Sequence, residues 1–142
     1  MGYQSKAMNK LFVDTSGWLA LVNRSDALHQ QAKKIYDERF AAGWDFITHT
    51  GVMLETGNGL SLIRLRALAT RLKKRLDASM RIDVIFVTDE LYESGWQLYE
   101  NRQDKDWGVV DCISFVLMQE MSLTESLTHD HHFEQAGFRK LL

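Results

Sequence analysis

The chain has 142 residues, of which 45% are hydrophobic, so it has the size of one typical domain and can bury a core. Its net charge of -2 excludes a uniformly basic nucleic-acid coat, so any contact with nucleic acid must come from a local patch. No apolar stretch approaches the roughly 20 residues of a membrane helix, and Met1 to Lys6 lacks the apolar centre of a signal peptide. We therefore expect one cytoplasmic domain, residues 1–142, in which the single cysteine, Cys112, is buried and unreactive.

Predicted strands and helices alternate along the chain. A buried strand at 10–14 precedes a helix that Thr15 or Ser16 can cap, and a second helix begins after Ser25 or Asp26. The later strands are predicted at 44–48, 82–87 and 123–128, with 138–142 as a fifth. The later helices are predicted at 49–62, weakened or broken by Gly57-Asn58-Gly59, and at 65–76, 89–102 and 109–121.

This alternation predicts an α/β fold with a central parallel sheet of four to five strands. Helices should cover both faces of the sheet, joined by right-handed crossovers. In sheets of this kind, ligands bind at the carboxyl ends of the strands. The apolar helix faces at 28–40 and 65–76 can serve either the core or a partner protein.

Four acidic residues occur where apolar runs pass into polar segments: Asp14, Glu55, Asp111 and Asp130. Burying an unpaired carboxylate costs several kcal/mol or forces it to protonate, and clustering carboxylates raises their pKa values further. A hard divalent cation with oxygen ligands neutralises such a cluster. The pattern therefore predicts a metal site built from these four carboxylates.

Each acid also has a purely structural interpretation. Asp14 and Asp130 can cap the helices that follow them, and Glu55 can be a solvated helix residue. Asp111 can be an acid at a helix start, stabilised there by the helix dipole. Ser16 can either cap a helix or hold the Asp14 carboxylate in orientation.

The neighbouring histidines offer a rival, a transition-metal site at His129, His131 and His132. We consider it weaker, because three adjacent side chains do not easily converge on one ion and no His-Glu-x-x-His or Cys-x-x-Cys pattern occurs. Asp104 and Asp106 lie in a polar loop and are expected to be solvated.

Four stretches together carry a resemblance to a known family. They are Phe12-Val13-Asp14-Thr15-Ser16, Leu54-Glu55-Thr56, Val110-Asp111-Cys112-Ile113-Ser114-Phe115, and Leu127-Thr128-His129-Asp130-His131-His132-Phe133 with Ala136-Gly137-Phe138. In order and spacing they resemble a PIN domain, and most closely the small VapC toxins of bacterial type II toxin–antitoxin pairs. The four acids match the acidic quartet of that family.

The resemblance implies a metal-dependent endoribonuclease in which Asp14, Glu55, Asp111 and Asp130 are the catalytic residues and hold Mg²⁺ or Mn²⁺. A water molecule would then attack an RNA phosphodiester. The resemblance also implies a homodimer and a small antitoxin protein that blocks the site.

The segment between Arg64 and Arg81 is strongly basic and contains one acid, Asp77. It is either a solvated helix face or a local guide for the RNA backbone. The residues predicted to contact RNA are Arg64, Arg66, Arg71, Lys73, Lys74 and Arg75. Trp44, Trp96 and Trp107 are expected in the core or in a dimer contact rather than as stacking platforms for bases.

Two other functions compete with the nuclease. A phosphoacceptor receiver domain needs an acid pair after the first strand, whereas Asp14 is followed by Thr15 and Ser16. A catalytically silent α/β binding module would hold a partner protein or RNA. Four acids argue against that module, because a site that no longer catalyses has no physical need for them.

Overall fold

Strands and helices alternate along residues 9–142, the part of the chain that this computed structural model describes. The start of the chain, where we expect no signal segment, lies outside the described residues. Within residues 9–142 the strands are β1 (Lys10–Val13), β2 (Asp45–His49), β3 (Ile82–Ile85), β4 (Glu125–Leu127) and β5 (Arg139–Lys140). The helices there are α1 (Thr15–Val22), α2 (His29–Ala41), α3 (Thr50–Gly59), α4 (Arg66–Ala78), α5 (Asp89–Asn101), α6 (Val109–Glu120) and α7 (His132–Gln135).

The strands form one parallel sheet in the order β3-β2-β1-β4-β5. Phe12 in the central strand pairs with Ile47 on one side and with Ser126 on the other. Leu11, Phe12 and Val13 are all fully buried, so both faces of β1 are covered, since successive side chains point to opposite faces. The predicted α/β fold with a five-stranded parallel sheet is confirmed.

Two predictions about helix ends are wrong. Helix α3 is capped by His49, passes through Gly57 and Asn58 and ends at Gly59, within the glycine-rich stretch and three residues before the predicted end at Leu62. Neither of the hydroxyls predicted to cap α1 does so, and the helix begins without a side-chain cap. Both hydroxyls are used elsewhere, as described below.

The cap predicted for α2 also lies earlier in the chain than the helix start. Asp26 Oδ1 accepts a hydrogen bond from the Leu28 N–H at 2.9 Å, in a turn that precedes the first residue of α2, His29. No helix among residues 9–142 is both long enough and apolar enough to cross a membrane.

Gly17 allows α1 to pack closely against the end of β4. A Cβ atom at this position would lie 2.2 Å from the Leu127 carbonyl oxygen and 3.0 Å from Val13 Cγ1. Real Cβ atoms do not approach backbone oxygens so closely, so only glycine permits this packing. The close packing brings the segments after β1 and β4 together.

Candidate active site

The four acids lie at the carboxyl edge of the sheet and come from four segments. Asp14 follows β1, Glu55 lies on α3 after β2, and Asp130 follows β4. Asp111 lies in the first turn of α6. The charges of Asp111 and Glu55 act on Asp14, and those of Asp111 and Asp130 act on Glu55. The fold therefore brings the four acids into one electrostatic cluster.

Asp14 is the most buried of these acids, with 5% of its surface exposed. Burial raises the pKa of its carboxyl to about 7, and repulsion from Asp111 and Glu55 adds to the rise. The Thr15 backbone N–H and the Thr128 hydroxyl act in the opposite direction and lower the pKa. A bound cation would favour the charged carboxylate, so this environment suits a metal ligand.

Thr128 links three of the polar groups around Asp14. Its Oγ1 donates to Asp14 Oδ2 at 3.1 Å and accepts from the Asp130 N–H at 3.0 Å. Ser16 Oγ lies 3.1 Å from Thr128 Oγ1 and accepts from the His129 N–H at 2.9 Å. Ser16 thus reaches Asp14 through Thr128, which the sequence reasoning did not single out.

Glu55 is exposed at the rim of the cluster. Its Oε1 accepts a hydrogen bond from Thr15 Oγ1 at 2.8 Å, across 40 positions of sequence. Desolvation raises the pKa of Glu55, Asp111 and Asp130 raise it further, and the Thr15 hydroxyl lowers it. Thr15 was also missed as a site residue, because a hydroxyl after Asp14 reads equally well as a helix cap.

Asp111 both stabilises the start of α6 and belongs to the acidic cluster. Its Oδ2 accepts the Gly108 N–H at 3.0 Å, so it does stabilise the start of α6. The same oxygen lies 3.1 Å from His132 Nδ1. Burial raises its pKa, and the charge of Asp130 adds to the rise against the opposing Gly108 and His132 contacts. The next residue, Cys112, is fully buried as expected, and this raises the pKa of its thiol to about 11.

Asp130 sits in the turn that leads into α7. Its Oδ1 accepts the His132 N–H at 2.9 Å in a local turn, while the cap position of α7 is the next residue, His131, which has no side-chain cap. Asp130 and ring nitrogens of His131 and His132 lie within 4.8 Å of one another. Two of the three histidines considered for a rival metal site therefore lie beside Asp130, because the loop turns into α7 at this point, whereas His129 is not part of this group.

Comparison with known proteins identifies the fold. A family model of the PIN domain matches residues 11–139. The chain belongs to the PIN domain family. It is also 30% identical over 129 residues to the "23S rRNA-specific endonuclease VapC20" of Mycobacterium tuberculosis, covering 90% of this chain and 95% of that protein.

Two solved structures share the fold of this chain. The crystal structure of VapC20 from M. tuberculosis, described as a "Sarcin-Ricin loop cleaving toxin", superimposes with a TM-score of 0.80 at 29% identity. That match covers 90% of this chain and 95% of VapC20. FitAcB from Neisseria gonorrhoeae matches with a TM-score of 0.66 at 15% identity over 93% of this chain and 96% of its own, and so shows the fold alone. The predicted resemblance to PIN-domain VapC toxins is confirmed, and the receiver-domain alternative is wrong.

PIN nucleases generally use a divalent metal, and the acids of this chain suit one. Protein donors hold one oxygen each of Asp14, Glu55, Asp111 and Asp130. The other oxygens of Glu55, Asp111 and Asp130 accept no hydrogen bond from residues 9–142. Oriented carboxylates with a free oxygen are the donor set that Mg²⁺ and Mn²⁺ prefer.

The six basic residues predicted to contact RNA are all exposed, on α4 or just before it. Lys73 is paired with Asp77, so its charge is partly compensated. Arg71 and Arg75 line a groove of about 770 Å³ between α4 and the first two helices. Trp107 is buried, and Arg39 stacks 4.2 Å above Trp44.

Proposed function

We propose that this PIN domain is a divalent-metal-dependent endoribonuclease and the toxin of a toxin–antitoxin pair. The observation that carries the proposal is the environment of Asp14, a buried carboxylate whose pKa is raised to about 7 at the edge of a cluster of three more acids. Similarity to VapC20 over 90% of the chain supports the same function. A cytoplasmic location follows from an RNA substrate and fits one buried, unpaired cysteine.

In this proposal Asp14, Glu55, Asp111 and Asp130 hold Mg²⁺ or Mn²⁺. When bound, the ion supplies positive charge that activates a water molecule and stabilises the scissile phosphate. Thr128 orients Asp14, Thr15 orients Glu55 and the Gly108 N–H orients Asp111. Ser16 contacts Thr128 and so supports the orientation of Asp14 indirectly.

The test of the nuclease is cleavage of RNA by the purified chain with EDTA, Mg²⁺ or Mn²⁺. Asp14→Asn and Asp111→Asn should each abolish metal-dependent cleavage, while Asp104→Asn, in an exposed loop and paired with Arg102, should cleave like the wild type. Because VapC20 is named for 23S rRNA, the RNA panel includes a sarcin–ricin hairpin, a tRNA and an mRNA fragment. A wild type that cuts none of them with either metal would favour the silent binding module.

The exposed cations around α4 are proposed to hold the RNA backbone near the acidic site. Within residues 9–142, the exposed side chains of Arg64 and Lys74 make no hydrogen bond or ion pair, so their charges are free for phosphate. The double change Arg64→Glu and Lys74→Glu should weaken RNA binding and flatten its dependence on salt. Lys34→Glu, an exposed lysine on α2, is the matched control. Unchanged binding in the double variant would remove this role.

The groove between α1, α2 and α4 is proposed to receive the antitoxin. Its lining combines apolar and positively charged side chains: Leu21, Val22, Leu68, Leu72, Arg24, Lys33, Arg71 and Arg75. An acidic amphipathic segment of a small protein would match both properties. Leu68→Glu should weaken binding of a co-expressed antitoxin without weakening metal-dependent RNA cleavage. Equal antitoxin binding would place the antitoxin elsewhere.

A homodimer is proposed through the exposed aromatic face of α5. Tyr92, Trp96 and Tyr99 are 50%, 36% and 42% exposed and contact one another edge to face. Such a cluster is typical of protein interfaces. Light scattering should report a dimer for the wild type and a monomer for Trp96→Glu, with Gln97→Glu as the control. A monomeric wild type would contradict the proposed dimer.

A further inference from the structure

His132 lies between two of the four acids. Its Nδ1 is 3.1 Å from Asp111 Oδ2 and 3.3 Å from Asp130 Oδ1. Asp111 belongs to α6, whereas Asp130 belongs to the loop after β4, so one ring nitrogen bridges two separate segments. The His132 side chain is 18% exposed, which limits competition from water for these contacts.

The surroundings of Nδ1 determine its role as a hydrogen-bond donor. Both of its neighbours are carboxylate oxygens, which accept hydrogen bonds when ionised. Nδ1 must therefore carry the hydrogen, which points to the nearer oxygen, Asp111 Oδ2. A protonated Nδ1 has no lone pair for a cation, so His132 acts on the acids and not as a metal ligand through this atom.

Asp111 is consequently held from two sides. Its Oδ2 accepts one hydrogen bond from the Gly108 N–H of its own helix start and one from His132. A carboxylate oxygen has two lone pairs, so these donors satisfy Oδ2. The oxygen left for a cation is Oδ1, which accepts no hydrogen bond from the described part of the chain.

The position of His132 is itself fixed by the core. The next residue, Phe133, is fully buried and packs edge to face on Phe115 of α6, with ring centroids 4.9 Å apart. Phe133 also contacts Phe12 of β1, at 6.2 Å. These contacts anchor α7 to both the sheet and α6, so the imidazole is presented to the acids by a rigid support.

We propose that His132 is a positioning residue that fixes Asp111 and Asp130 relative to each other and leaves Asp111 Oδ1 for the divalent cation. The proposal rests on the proposed nuclease function. Partners of this kind typically contribute 10- to 100-fold to metal affinity, roughly, when they orient a ligand. The effect should therefore fall on metal binding more than on the rate at saturating metal.

The test compares three variants in two measurements. In His132→Asn the amide nitrogen can take the place of Nδ1, whereas His132→Leu removes the donor and keeps the bulk. His129→Leu changes an exposed histidine of the same loop and is the control. Mn²⁺ affinity is measured by calorimetry without RNA, and the Mn²⁺ concentration for half-maximal RNA cleavage is measured separately from the maximal rate.

We expect His132→Leu to weaken Mn²⁺ binding by roughly 10- to 100-fold, with His132→Asn and His129→Leu within a few-fold of wild type. The half-maximal Mn²⁺ concentration should rise by the same factor in His132→Leu. Wild-type affinity in a folded His132→Leu would overturn the role of His132 while leaving the metal site in place. Equal losses in Asn and Leu would overturn the donor role of Nδ1. A wild type that binds no Mn²⁺ would overturn the proposed metal site itself.

Discussion

His49 is a buried histidine whose neutral form holds the helices of two acids together. It is fully buried at the end of β2, and its Nδ1 accepts the N–H groups of Gly51 at 3.0 Å and Val52 at 3.3 Å. Its Nε2 must therefore carry the hydrogen, which it donates to Ser114 Oγ at 2.8 Å, and Ser114 donates in turn to the Val110 carbonyl. The ring caps α3, which carries Glu55, and ties it to α6.

Protonation of this ring should destabilise the fold. Burial lowers the pKa of His49 from 6.5 to about 4, since a charged imidazole is poorly solvated there. The unfolded chain therefore binds a proton at this residue between those two values, and the folded chain does not. The contribution of neutral His49 to the unfolding free energy is fully present above pH 6.5 and is lost as the pH drops towards 4. From pH 8 to pH 5 the loss is about 2 kcal/mol.

The assay is urea unfolding of wild type and His49→Asn in EDTA at pH 8 and pH 5. The asparagine oxygen can still cap α3, but the variant loses the bond to Ser114 and cannot titrate. Asp14 titrates with the opposite sign, because its pKa is raised, but it is present in both proteins and cancels in their difference.

His49→Asn should be the less stable protein at pH 8, by about 1–3 kcal/mol for the lost buried contact. The difference in unfolding free energy between the two proteins should shift by about 2 kcal/mol in favour of the variant at pH 5. A difference that stays the same at both pH values would refute the reasoning. His129→Asn, which changes an exposed histidine, should follow the wild type at both pH values.

Three further predictions concern single side chains. Asp14→Asn should raise the free energy of unfolding of the metal-free protein at pH 8 by up to about 4 kcal/mol, as measured by urea unfolding. The raised pKa means that the charged carboxylate destabilises the fold fully above pH 7 and not at all below the ordinary value of 3.8. The variant should also lose any rise in melting temperature on adding Mn²⁺. Gly17→Ala should lower stability by about 1–3 kcal/mol through contact with Leu127, whereas Gly57→Ala, with open space in α3, should raise it by about 0.5–1 kcal/mol. Thermal melts that rank these two variants the other way would contradict the packing argument. Ser126→Ala should be neutral or stabilising by about 1 kcal/mol in the same melts, because the buried hydroxyl has no hydrogen-bond partner within residues 9–142; a clear loss of stability would indicate a partner for it.

The sequence by itself determined the α/β class and the position of the acids along it. The apolar run Leu11-Phe12-Val13 predicts a strand covered on both faces, which the central β1 is. Acids placed directly after strands must share an edge in a parallel sheet, because the carboxyl ends of all its strands meet there. Asp14 and Asp130 could therefore be placed together from sequence position alone, and their role as metal ligands remains a prediction.

Only the tertiary structure decided which donors hold the acids. Thr128 reaches Asp14 across 114 positions, Thr15 reaches Glu55 across 40, and His132 reaches Asp111 across 21. A threonine or histidine beside a helix start is equally compatible with a local cap, so sequence position alone does not reveal a distant partner.

The same limit applies to α3. Gly57 and Asn58 disfavour a helix locally, but the buried His49 ring caps its first turn and the core holds Val52. The His49 cap is local, but the ring itself is held by Ser114 of α6, 2.8 Å from its Nε2, and no local pattern encodes that contact. Local chemistry sets the elements and their edges, while contacts between distant segments orient the groups at the site.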